Sequence, residues 1–94
     1  MQIMEKSDVK QLVKVLTRLD DEGEMSAFLS DLLTIRELLD MSQRLEAAVM
    51  LSKGESYQTI SKEVGASTAT ISRVSKCLNY GEGGYVAALR KLEK

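Results

Sequence analysis

The 94-residue sequence has no histidine, no proline and no tryptophan, and its one cysteine is Cys77. One thiol and no imidazole cannot build a structural zinc site, a disulfide framework or a Ser-His-Asp triad. Aromatic side chains are scarce as well: Phe28, Tyr57, Tyr80 and Tyr85 are all there are. No apolar run approaches the roughly 18 residues that a membrane span requires, and no signal-peptide pattern opens the sequence. These absences point to a soluble, cytoplasmic domain with no metal, no cofactor and no membrane partner. The length suits one domain and is too short for two.

Positive charge is also in short supply, with 13 Lys and Arg against 14 Asp and Glu and a net charge of -1. That balance speaks against a nucleic-acid partner until it is divided along the chain. Residues 1–50 carry six bases and ten acids, a net of -4, whereas residues 51–94 carry seven bases and four acids, a net of +3. Such asymmetry suggests different partners for the two halves.

The apolar residues recur with helical spacing almost throughout. Val9, Leu12, Val13, Leu16 and Leu19 form one stripe and Met25, Phe28, Leu29, Leu32 and Leu33 a second, with Asp20-Asp21-Glu22-Gly23 read as the break between them. Thr34 and Glu37 have capping-box spacing, which predicts a short helix through Leu39. The pattern restarts around residues 40–42 and continues through Leu45, Ala48, Val49 and Leu51 to Gly54. Ser56 is placed to cap a helix that runs through Ile60 to Val64 and stops at Gly65. A further helix from about Ser67 carries Ile71, Val74 and Leu78 on one face. Gly81-Glu82-Gly83-Gly84 then precedes a last helix expected to turn Val86, Leu89 and Leu92 inward. No segment alternates with period 2, so the expected fold is all-α with six or seven short helices. The expected organisation is 1–55 for the core and dimerisation, 56–78 for a helix-turn-helix, and 79–94 for a hinge and final helix. Short helices are marginal alone in water, and the two amino-terminal stripes exceed what a small monomer can cover. A homodimer is therefore expected, with these stripes buried between subunits.

Residues 56–78 are the informative stretch. Two short helices around Val64-Gly65-Ala66-Ser67 match a DNA-binding helix-turn-helix, with Ile60, Val64, Ile71 and Val74 as the apolar wedge that fixes the angle between them. The residues left outside are small, hydroxylated or basic, and none is acidic. Thr68, Ala69 and Ser72 are placed to meet base edges. Gln58 and Ser67, near helix starts, suit phosphates, and Lys62, Arg73 and Lys76 add positive charge. Tyr57, Cys77 and the carboxylates form no pattern of nucleophile, base and orienting group, so no enzymatic activity is expected. Cys77 reads as a partly buried filler. The rival reading is a protein-interaction module of the same fold with no operator of its own.

Gly65-Ala66-Ser67-Thr68-Ala69-Thr70-Ile71-Ser72-Arg73 resembles the recognition-helix motif of the tryptophan repressor superfamily. Phe28-Leu29-Ser30-Asp31-Leu32-Leu33-Thr34, Arg44-Leu45-Glu46-Ala47-Ala48 and Tyr80-Gly81-Glu82-Gly83-Gly84-Tyr85 extend the resemblance to its YerC/YecD subfamily, over most of the chain from Glu24 onward. The resemblance implies an intertwined helical homodimer bound to a palindromic operator, with half-sites about one helical turn apart. It also implies an effector site in which two arginines sandwich an indole. Arg73 matches the second arginine, and Arg44 matches the first if a one-residue shift is allowed. Val74 stands where the superfamily has glycine and would fill space that the ring needs. The effector therefore stays unidentified, and tryptophan is not expected to bind in the repressor's manner.

Overall fold

The computed structural model describes residues 2–93 and is all-helical, with no strand among those residues. After a 3-10 turn at Ile3–Glu5 come α1 (Ser7–Arg18), α2 (Glu22–Leu32), α3 (Ile35–Ser52), α4 (Tyr57–Val64), α5 (Thr68–Tyr80) and α6 (Gly84–Leu92). The chain forms two compact units, Met1–Leu38 and Leu39–Lys94.

In the first unit no described residue is fully buried. Val9, Leu16 and Leu19 of the first stripe and Met25, Phe28 and Leu29 of the second are half-buried, while Leu12, Val13, Val15 and Leu32 remain exposed. The acidic connection is shorter than the sequence suggests, because α2 already includes Glu22 and Gly23. Asp21 explains the difference: its carboxylate accepts the Glu24 N–H at 2.9 Å, and this cap starts the helix ahead of the glycine. Glu22 and Glu24 in the first turn complement the positive helix end. At the start of α3 the capping box is formed in both directions. The Glu37 N–H donates to Thr34 Oγ1 at 3.1 Å, and the Thr34 N–H donates to Glu37 Oε1 at 2.9 Å.

The expected restart near residues 40–42 does not occur, since α3 is one continuous helix of 18 residues. Asp40 and Ser42 interrupt the apolar pattern, but neither breaks a helix as glycine or proline would. Its inward face also differs from the expected one. Ala47, Ala48 and Met50 are buried, Val49 and Leu51 are half-buried, and Leu45 is exposed. α3 closes in a Schellman motif, with Glu55 N–H bonded to the Met50 carbonyl at 3.1 Å and Gly54 N–H to the Leu51 carbonyl at 3.0 Å.

The core of the second unit joins Ala47, Ala48 and Met50 of α3 to Ile60 of α4, Ala66 of the turn, and Ile71 and Val74 of α5. Leu51, Val64 and Tyr85 pack against it. The last helix is phased differently from the sequence reading: Tyr85 and Leu89 are half-buried, whereas Val86 is 38% and Leu92 61% exposed. A Cβ at Gly81 would collide with the Cys77 carbonyl, so only glycine lets the chain turn this tightly before α6 begins at Gly84.

Candidate nucleic-acid interface

α4 and α5 pack against each other through their apolar sides, and the turn between them is held at each residue. Gly65 lies in the left-handed region with φ 83°, which a side chain with a Cβ rarely adopts, and its N–H bonds to the Ser61 carbonyl at 2.9 Å. Ser61 Oγ then donates to the Ala66 carbonyl at 2.7 Å. The buried Ala66 brings the chain inward, and Ser67 opens α5 by accepting the Thr70 N–H at 3.1 Å. Ser56 caps α4 in the same way, accepting the Thr59 N–H at 3.1 Å.

This frame brings most of the predicted site residues together. Ile71 is 0% and Val74 1% exposed, so α5 has a fixed inward side. Ala69, Ser72, Arg73 and Lys76 follow i, i+3, i+4, i+7 spacing on the other side, and all four are exposed. Thr68, the first residue of α5, is exposed next to them. α5 contains no acidic residue, and among the described residues neither Arg73 nor Lys76 is in a salt bridge; the ion pair of the structure is Lys10–Glu5. Gln58 is exposed at the second position of α4 and Lys62 is exposed in its last turn. Ser67 is more constrained than expected. Its hydroxyl accepts the Thr70 N–H and donates to Thr70 Oγ1 at 3.1 Å, so its donor is already used inside the protein.

The two arginines of the expected effector site do not meet around one cavity. Arg44 is half-buried and lines a hollow of about 240 Å³ with Asp40, Gln43 and residues of the turn, whereas Arg73 is exposed and does not line it. Two side chains that hold the turn escape the sequence reading altogether, Ser61 and Gln43. Both bond to carbonyls of the turn, and neither belongs to an apolar period or a capping pattern that would draw attention to it.

Residues 7–93 match the family described as Trp repressor protein. The chain belongs to the Trp repressor family. Within the wider similarity, it is 46% identical to YerC of Bacillus subtilis (strain 168) over 87 residues, 93% of this chain and 84% of that protein. The crystal structure of a TrpR-like protein from Eubacterium eligens ATCC 27750 superimposes with a TM-score of 0.89 at 42% identity, covering 96% of this chain and 93% of that one. A Staphylococcus aureus crystal structure gives a TM-score of 0.90 at 38% identity, covering 99% and 95%. The Trp repressor family is one of regulators rather than enzymes, and its fold is the one described above. Among the described residues no helix is long and apolar enough to cross a membrane.

Proposed function

We propose that the protein is a cytoplasmic, sequence-specific DNA-binding repressor that grips a palindromic operator as a homodimer. The observation that carries this reading is the exposed, acid-free face of α5, with Ala69, Ser72, Arg73 and Lys76 held outward by the buried Ile71 and Val74. A helix of this kind fits the major groove: small residues let its start approach the bases, and acids would meet the phosphate field. Thr68, Ala69 and Ser72 read base edges. Arg73, Lys76 and Lys62 supply charge, and Gln58 and the start of α5 at Ser67 bind phosphates. The apolar residues left exposed on α1 and α2, with Ile35 at 80% exposure on α3, support a second copy as their cover. An apolar hollow of about 620 Å³ walled by Leu45, Cys77, Tyr85 and Ala88 supports it too.

The test is the salt dependence of binding to an operator selected from genomic fragments. About four phosphate contacts per dimer lower the affinity about a hundredfold between roughly 50 and 200 mM salt. Arg73→Ala and Lys76→Ala should each weaken binding and flatten that dependence, with the dimer intact by analytical ultracentrifugation. Charged substitutions at Leu16 or Leu29 should dissociate the dimer first. Partner binding that is indifferent to salt would instead favour the interaction module.

Tryptophan is not the effector in this reading. Val74 is packed into the core at 1% exposure, where the superfamily's glycine leaves room for the indole. Titration calorimetry should give no stoichiometric tryptophan heat. Saturable binding that Arg73→Ala abolishes would overturn this.

A further inference from the structure

The helix-turn-helix is joined to α3 in two physically different ways. One is apolar: Ala47, Ala48 and Met50 of α3 share a core with Ile60, Ile71 and Val74. Such contact is strong but non-directional. The other is a polar strut, one helical turn before Ala47. Gln43 Nε2 donates to the carbonyl of Val64, the last residue of α4, at 3.4 Å. Open space flanks the strut on both sides. Gln43 borders the hollow of about 240 Å³ that it shares with Arg44, Gly65 and Thr70. It also borders another of about 470 Å³, shared with Leu39, Glu46, Met50 and Glu63. The side chain thus spans a cleft between α3 and the turn that packing leaves unfilled.

We propose that Gln43 is a positioning residue, whose amide fixes the tilt of the helix-turn-helix on α3 and so the aim of the reading helix. The Val64 carbonyl is one of the free acceptors at the end of α4, and only a donor can satisfy it. Ser61 holds the turn from within through the Ala66 carbonyl, whereas Gln43 holds it from outside the motif. The bond is long for an amide and therefore weak, so its contribution is direction rather than stability. Direction matters at the start of α5, because Thr68 and Ala69 follow the turn immediately. A dimer also needs both reading helices at one spacing.

The inference rests on the DNA reading for its consequence but not for its geometry, and the experiment separates the two. Gln43→Leu keeps the bulk and removes the donor. Gln43→Glu sets an acceptor against the carbonyl at a negative helix end, and Gln43→Lys restores a donor. The Gly65 amide, which donates to the Ser61 carbonyl, should exchange about threefold to tenfold faster in the Leu and Glu variants, as loss of one weak hydrogen bond implies, and near the wild-type rate in Gln43→Lys. Operator affinity should fall by a similar factor in the first two variants. Non-specific DNA affinity should stay unchanged, and the thermal midpoint should fall by no more than the few degrees that one weak hydrogen bond is worth. Wild-type exchange rates in both the Leu and Glu variants overturn the proposal, and so does a loss that falls equally on operator and non-specific DNA. Should the wild-type protein select no operator, the DNA reading fails, and the exchange rates still decide whether Gln43 holds the turn.

Discussion

Ile71→Ala should lower the stability of the Leu39–Lys94 unit by about 2–5 kcal/mol, the range for truncating a buried aliphatic side chain in a well-packed core. The reason is how few large residues this core contains. Ile60, Ile71 and Val74 are its largest fully buried side chains. Three of the remaining buried members, Ala47, Ala48 and Ala66, contribute close approach rather than volume. Small domains have only about 5–15 kcal/mol in total, so one truncation removes a large share of it. At this size about 1 kcal/mol shifts the thermal midpoint by about 4–8 °C. The expected drop is therefore at least about 8 °C, read by circular dichroism at one fixed protein concentration because any self-association is linked to folding. Ile71→Val removes one methylene and should cost only about 0.5–1.5 kcal/mol. Equal midpoints for the alanine variant and the wild type would mean that the wedge between α4 and α5 is not what holds the unit together.

The same wedge explains why so much of this molecule is legible in its sequence. Ile60, Gly65, Ile71 and Val74 are tied to one another by spacing, and each does in the structure what its chemistry suggests, with Ser56 capping α4 as expected. What escaped has physical reasons. Ala47 adds almost nothing to a hydrophobic pattern, yet it is fully buried, because a small side chain is what lets α3 come close. The continuity of α3 through Asp40 and Ser42 was hidden for the complementary reason. Polar residues on one turn interrupt an apolar stripe without costing the backbone its hydrogen bonds. The apolar residues of α6 predict Val86, Leu89 and Leu92 as its inward side, whereas the residue that packs on the core is Tyr85, whose hydroxyl makes it a weak signal in an apolar pattern. Gln43 and Ser61 are the hardest case. A polar side chain that satisfies a single carbonyl in a turn is indistinguishable in sequence from one facing water, and only tertiary structure brings Gln43 and Val64, 21 residues apart, into contact.

On the proposed DNA reading, Ala69→Asp should weaken operator binding about a hundredfold and leave the fold intact, and the two effects have opposite signs for one electrostatic reason. Ala69 is the second residue of α5 and is exposed, so the substitution opens no cavity. A carboxylate in the first turn of a helix interacts favourably with the unpaired N–H groups there, contributing about 0.3–1 kcal/mol. The thermal midpoint should therefore stay level or rise slightly. In the major groove that same carboxylate would lie in the negative field of the phosphates and would replace a methyl contact at a base edge. The expected loss is about 3 kcal/mol, or about a hundredfold in affinity, from the lost base contact and the added repulsion together. Ala69→Ser, which is small and neutral, should lose far less. Filter binding at low salt checks the affinity, and sedimentation of the same preparation shows that the oligomeric state is kept. A variant that stays folded and still binds its operator as tightly as the wild type would remove the start of α5 from the groove. A variant that loses binding while gaining stability separates the reading of DNA from the holding of the fold within one helix: the side facing Ile60 folds the protein, and the side facing away does its work.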